Sequence, residues 1–388
     1  MTVVVAWLSG STAILCWDSA ITRAGREPKN QQSSFGELQV LDGRAVEEGA
    51  IKLCDIAGLP ALVTGDVGTA GAFAKELIAL LDKHDLRTAL ARLDPVFRGC
   101  KEAFSLIFAH PLEGRIVLTR YASTSGLMEM NEPDPNTCWI DGSLPEHLKS
   151  LIRTGAYAVE GMPLEPPRKL LALLALMQAM GVAYYLPEHG VGGAFCGATF
   201  DGTITWQEPI IYLLSNTPTL EAAMSEAGTD GVSTTDPFQM IRCQVSDWVG
   251  LVGSSITRRF VVLHSPSERR TEEELRAFVQ TFPDPFKWLV PSSAYAFIDT
   301  SKQRVVVALT RTDPPSPLVQ IRSNPDVVAP DGLIFHRLRE PLEQRFWDFV
   351  VFVDNPTGTQ IAAHEGRIDL EHAIDDSSLL PTLRPPGS

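Results

Sequence analysis

Two β-branched, apolar runs open the chain, Val3–Leu8 and Thr12–Trp17, separated by Ser9-Gly10-Ser11. The pattern predicts an antiparallel hairpin. Residues 24–50 are polar and rich in turn formers, which predicts an inserted loop or lid. Strands follow at 51–56 and 60–65, around Ala57-Gly58-Leu59. After Gly65 the period changes from two to 3.6: Phe73, Leu77, Leu80, Leu81 and His84 fall on one face of a helix. A second helical region spans about Leu86 to Phe104, with Asp94-Pro95 read as an N-cap and first-turn pair inside it. Two strands, 104–110 and 115–123, flank a Pro-Leu-Glu-Gly turn, and 138–152 reads as strand, turn and helix. The run 168–180 is apolar on every side and predicts a buried helix. Residues 192–200 and 203–208 form a closing hairpin about an Asp-Gly turn.

Helices grouped between blocks of strands argue for packed layers and against alternating βαβ units. Residues 216–237 are polar and read as a linker; strands at 259–265, 294–300, 304–311, 332–338 and 346–353, with a helix near 271–281, make a second α+β region. The domains are therefore expected at 2–215 and 238–375, with a disordered tail at 376–388.

A length of 388 residues accommodates both domains. The net charge of −14 excludes nucleic acid or an anionic membrane as the main partner, since both demand basic patches. The longest apolar run is too short to span a bilayer. Six dispersed cysteines without CxxC, and an N-terminus without a basic start and apolar core, predict reduced thiols and a cytoplasmic protein. The eight histidines show no metal-ligand spacing, so neither a metal nor a cofactor is expected.

The candidate chemistry lies in separated pieces. Thr2 directly follows Met1, Asp18-Ser19-Ala20-Ile21-Thr22 ends the first hairpin, and Lys52 begins the second strand pair. Gly65-Asp66-Val67-Gly68-Thr69-Ala70 opens the first helix, Trp139-Ile140-Asp141-Gly142-Ser143 ends a strand, and Glu188 precedes Gly192-Gly193. Together these pieces, over residues 2–215, resemble the N-terminal-nucleophile (Ntn) hydrolases of the proteasome type, the β-type proteasome subunits and their bacterial relatives. The resemblance implies a four-layer α/β/β/α sandwich, followed here by the smaller mixed α+β domain. It implies a threonine amide hydrolase, in the first place a peptidase, working through an acyl-enzyme on Thr2 once Met1 is removed. Asp18, Lys52, Gly68, Ser143 and Glu188 would serve catalysis, and Ala20 and Thr22 substrate binding. The substrate would be a peptide or another amide, and the family admits a homo-oligomer.

Those residue types suit the chemistry. A threonine hydroxyl needs a base, and a free α-amine titrating near pH ~8 lies beside it. Lys52 would favour the neutral amine and stabilise alkoxide, Asp18 would hold Lys52, and the Gly68 N–H would meet the oxyanion. This chain departs from the family at Val191, where a serine is usual, and in the long 24–50 segment.

Other readings remain. Small residues at position 2 favour methionine removal whatever their role, Asp18 could be a strand-end turn residue, and Lys52 a flanking surface lysine. The chain could be an inactive proteasome-like scaffold or binding module. Gly65-x-x-Gly68 could cradle a phosphate, although it lacks the dinucleotide spacing and the P-loop lysine.

Overall fold

The computed structural model describes residues 2–24, 32–37, 44–130, 138–183, 186, 190–215, 239–254, 259–265, 271–281, 294–299, 304–309, 327–328, 334–335, 346–354 and 361–369. The expected linker and C-terminal tail fall outside them.

The fold is mixed α+β, with several sheets and few helices among the described residues. The opening hairpin forms as the sequence predicts: Val3–Ser9 pairs with Thr12–Asp18, closing at Ser9 opposite Thr12. These strands lie inside a five-stranded sheet with Trp139–Gly142 beyond the first, and Phe195–Phe200 then Ile204–Trp206 beyond the second. A second five-stranded sheet runs Gly126–Met130, Arg115–Ala122, Phe104–Leu112, Leu59–Gly65, Leu53–Ile56. The first hairpin touches Leu59–Gly65 and Arg115–Ala122 of this second sheet. Every residue from Val3 to Leu8 is buried, as a strand covered on both faces requires.

Helix α1 (Val67–Leu81) and helix α2 (Leu86–Phe97) pack on the second sheet. Phe73 lies between Tyr121, stacked at 4.6 Å, and Phe97 and Phe104, each at 5.1 Å. Two expectations need correction. His84 lies past the end of α1, and α2 stops at Phe97, with Phe104 already in a strand. Asp94-Pro95 falls in the last turn of α2. Asp94 accepts from the Arg98 N–H at 2.8 Å and pairs with its guanidinium at 2.6 Å. Pro95 has no N–H for the Ala91 carbonyl, so one helical bond is missing where α2 is about to end.

Helix α3 (Glu146–Glu160) and helix α4 (Pro166–Ala183) pack together, and α4 lies on Thr12–Asp18 and Phe195–Phe200. Gly197 permits the close approach, since a Cβ there would run into the Leu170 side chain and lie 2.8 Å from the Leu15 carbonyl oxygen.

The C-terminal region builds an eight-stranded sheet. Its order is Arg259–His264, Val249–Ser254, Gln239–Ser246, Ile210–Ser215, Ala294–Asp299, Arg304–Leu309, Phe346–Asp354, Ile361–Asp369. Ile210–Ser215, counted with the N-terminal domain by sequence, is a central strand here, parallel to Ala294–Asp299. Helix α5 (Glu272–Thr281) matches its expected place. The far side of α4 touches Ala294–Asp299 and Arg304–Leu309, so one apolar core runs through both regions.

Candidate active site

The first strand pair sets the centre of the site. Its register places Val4 opposite Trp17, which brings Thr2 and Val3 to the turn where the second strand ends at Asp18. Asp18 is fully buried, yet every lone-pair direction is used. Its Oδ1 accepts from Thr2 Oγ1 at 2.9 Å, from the Val3 N–H at 2.8 Å and from Lys52 Nζ at 2.5 Å. Its Oδ2 accepts from the Gly192 N–H at 3.1 Å and the Ala20 N–H at 3.3 Å. The Thr2 hydroxyl and the Lys52 ammonium therefore meet on one carboxylate oxygen.

Lys52 is 7% exposed. Burial pushes its amine below the ordinary lysine value, and the charge and hydrogen bond of Asp18 act against that shift. The Thr2 backbone is held from the other side by the edge strand Trp139–Gly142. Ser143 donates its N–H to the Thr2 carbonyl at 2.9 Å, and Ser143 Oγ accepts from Thr2 N at 3.1 Å. This approach needs glycine at 142, where φ is +125° and a Cβ would collide with the Thr2 carbonyl.

The remaining residues singled out by sequence divide. Thr22 lines the cavity beside Thr2 and Lys52, whereas Ala20 is buried and contributes its N–H to Asp18. Gly68 is absent from the cavity wall, although Gly65, Val67 and Gly71 belong to it. The start of α1 carries a side-chain cap. Asp66 accepts from the Thr69 N–H at 2.7 Å and from its hydroxyl at 2.8 Å, and a Cβ on Gly68 would stand 3.3 Å from the same carboxylate. Bonds from the Thr69 N–H and hydroxyl hold the Asp66 carboxyl below its usual range. The helix start thus already carries an anion. Glu188 lies outside the described residues.

Sequence reasoning missed the support behind Asp18. Glu48 Oε1 accepts from the Ala194 N–H at 2.7 Å and Ser19 Oγ at 3.2 Å, and Oε2 accepts from the Ser34 N–H at 2.8 Å. Gln178 clasps the same segment, donating to the Gly193 carbonyl at 3.1 Å and accepting from the Phe195 N–H at 3.0 Å. These bonds fix the Gly192 N–H that faces Asp18. The only sequence signal was the glycine pair itself, which marks close backbone approach.

Thr2 and Lys52 open on a cavity of about 1020 Å³ whose wall is mainly apolar, with Ile51, Val63, Ala70 and Leu106 among its residues. It can hold an apolar group beside a hydroxyl, an ammonium and a buried carboxylate. Among the described residues no group of His, Cys, Asp and Glu is arranged to hold a metal ion, and no helix is long and apolar enough to cross a membrane.

No protein-family model matches the chain, and no curated protein matches it. Among solved structures it is similar to a eukaryotic HslV from Trypanosoma brucei, with 13% identity and a TM-score of 0.36 over 51% of this chain and 98% of that one. So slight a likeness carries no argument here, and the reading of the site stands on its geometry.

Proposed function

We propose that the chain is a threonine amide hydrolase of the Ntn type, a peptidase in its simplest form, with Thr2 as nucleophile after cleavage of the Met1–Thr2 bond. The observation that carries this reading is the meeting of Thr2 Oγ1 and Lys52 Nζ on the buried Asp18 Oδ1, beside a cavity large enough for a peptide side chain. A four-layer α/β/β/α arrangement of the N-terminal region goes with it. Its support is the packing of α1 and α2 on one sheet, of α4, with α3 against it, on the other, and the contacts between the sheets.

In this reading the freed α-amine, positioned near Ser143 Oγ, takes the Thr2 hydroxyl proton as the oxygen attacks the amide carbon. The Lys52 ammonium, anchored by Asp18, stabilises the negative charge that develops. The C–N bond breaks, the amine leaves with the proton held by the α-amine, and an ester on Thr2 remains. Water, deprotonated by the same amine, then hydrolyses the ester.

A second reading, a binding module without activity, is favoured by one observation. The start of α1, where the sequence resemblance expects an oxyanion donor, faces the Asp66 carboxylate. Intact-mass analysis decides between them. Protein exposed to a peptide epoxyketone is expected to lack Met1 and to carry one adduct on Thr2, which Thr2→Ala abolishes. Lys52→Met should slow labelling at least 100-fold if the lysine supplies about 3 kcal/mol, at about 1.4 kcal/mol per tenfold. A retained methionine with no adduct, or equal labelling of Thr2→Ala, would select the binding module.

A further inference from the structure

The strand Arg259–His264 belongs to the C-terminal sheet, yet it docks on the segment that delivers Lys52. Ala50 and His264 form a parallel bridge. The Ile51 N–H donates to the His264 carbonyl at 3.1 Å, and the His264 N–H donates to the Gly49 carbonyl at 3.3 Å. One residue further, Ser265 Oγ donates to the Leu53 carbonyl at 2.8 Å. These bonds grip the chain on both sides of Lys52 and fix the register of the docked strand.

That register has a consequence for the cavity. Val262 and His264, two residues apart, share a strand face, and both line the cavity that contains Thr2 and Lys52. Phe260 shares that face and is 44% exposed. Val67 and Ile78 of α1, also lining residues, are 55% and 43% exposed. Large apolar side chains left in water around one concavity mark a surface that an apolar ligand would cover.

We infer that the C-terminal sheet supplies one wall of the substrate cavity, with Val262 selecting an apolar side chain on the acyl side of the cleaved amide. The inference rests on Thr2 as nucleophile for its chemistry, but its selectivity is measurable without catalysis. The occupant follows from the wall: two of its acids are already engaged, Glu48 with Ser19, Ser34 and Ala194, and Asp55 with the Gly58 N–H at 2.6 Å, while aliphatic side chains face the space.

The test uses the full-length chain and two dansylated dipeptide amides, one ending in leucine and one in alanine, with binding read by fluorescence anisotropy. Wild type is expected to prefer leucine at least about tenfold. Val262→Trp fills the wall and should cut leucine affinity about tenfold while leaving alanine affinity unchanged. Val262→Ala, a milder change that spares the fold, should weaken leucine binding several-fold and leave alanine binding alone. A leucine-to-alanine ratio unmoved in both variants, or no leucine preference in wild type, overturns the inference. Epoxyketone labelling of the same proteins reports separately on Thr2. A shifted ratio without any labelling would retain the wall and remove the nucleophile.

Discussion

Replacing Lys52 by methionine strips the cation from a carboxylate that the fold keeps dry. Asp18 is wholly buried, and Lys52 Nζ is 2.5 Å from its Oδ1. Removing one partner of a buried pair costs about 3–5 kcal/mol, because a charge stays behind without its counterion. Three backbone N–H donors and the Thr2 hydroxyl remain on this carboxylate. The loss therefore falls at the low end, about 3 kcal/mol. Methionine follows the lysine stem closely, so little cavity is added. Wild type is itself pH-dependent at the alkaline end. Lys52 titrates below 10.5 when folded, so its contribution grows as pH climbs from the depressed value towards 10.5. The gap between the two proteins should widen as pH rises through the alkaline range. Urea unfolding followed by tryptophan fluorescence reads it as a midpoint about 1 M lower at neutral pH, for an m-value of about 3 kcal/mol/M. A midpoint within about 0.2 M of wild type at neutral pH, or a gap that does not widen as pH rises towards 10.5, would refute the reasoning.

Two further substitutions test the fold around the site. Gly197→Ala drives a methyl into Leu170 and the Leu15 carbonyl, and should lower stability by about 1–3 kcal/mol in the same urea experiment. Ala57→Gly, at an exposed turn position with φ of +55°, relieves left-handed strain and should raise the thermal midpoint slightly by calorimetry; a lowered midpoint would contradict the strain.

The legible parts of the sequence were those whose signal is local and periodic. The opening hairpin, the Phe73 and Leu77 face of α1 and the apolar run of α4 all follow from spacing alone. Asp94-Pro95 misled because an aspartate followed by proline looks the same in the first turn of a helix as in the last. The strands Gln239–Ser246 and Val249–Ser254 went unread because their turn uses Asp247 and Trp248, with φ of +46° and +66°, and carries no glycine or asparagine to mark it. Trp248 instead packs edge-on against Trp206 at 4.9 Å, a contact only the tertiary fold supplies. Within the site, Thr2, Asp18 and Lys52 were identifiable by residue type and by resemblance. Gly68 was singled out by resemblance alone, which gave no sign that Asp66 would cap the helix through the neighbouring Thr69 N–H. Glu48 escaped notice because a glutamate in a polar stretch reads as solvated, whereas its carboxylate binds the Ala194 N–H.

Helix α4 lies against the first sheet on one side and against Ala294–Asp299 and Arg304–Leu309 on the other. The order of synthesis therefore matters. The helix leaves the ribosome long before its second cover exists. The roughly 125 residues between Ala183 and Leu309 take about 6–25 s to translate at about 5–20 residues/s. For that interval a largely apolar helix is without its second partner in the nascent chain, a natural docking point for a chaperone. The edge strand that brings Val262 and His264 to the cavity belongs to the same sheet, so the helix cover and the cavity wall are two parts of one sheet.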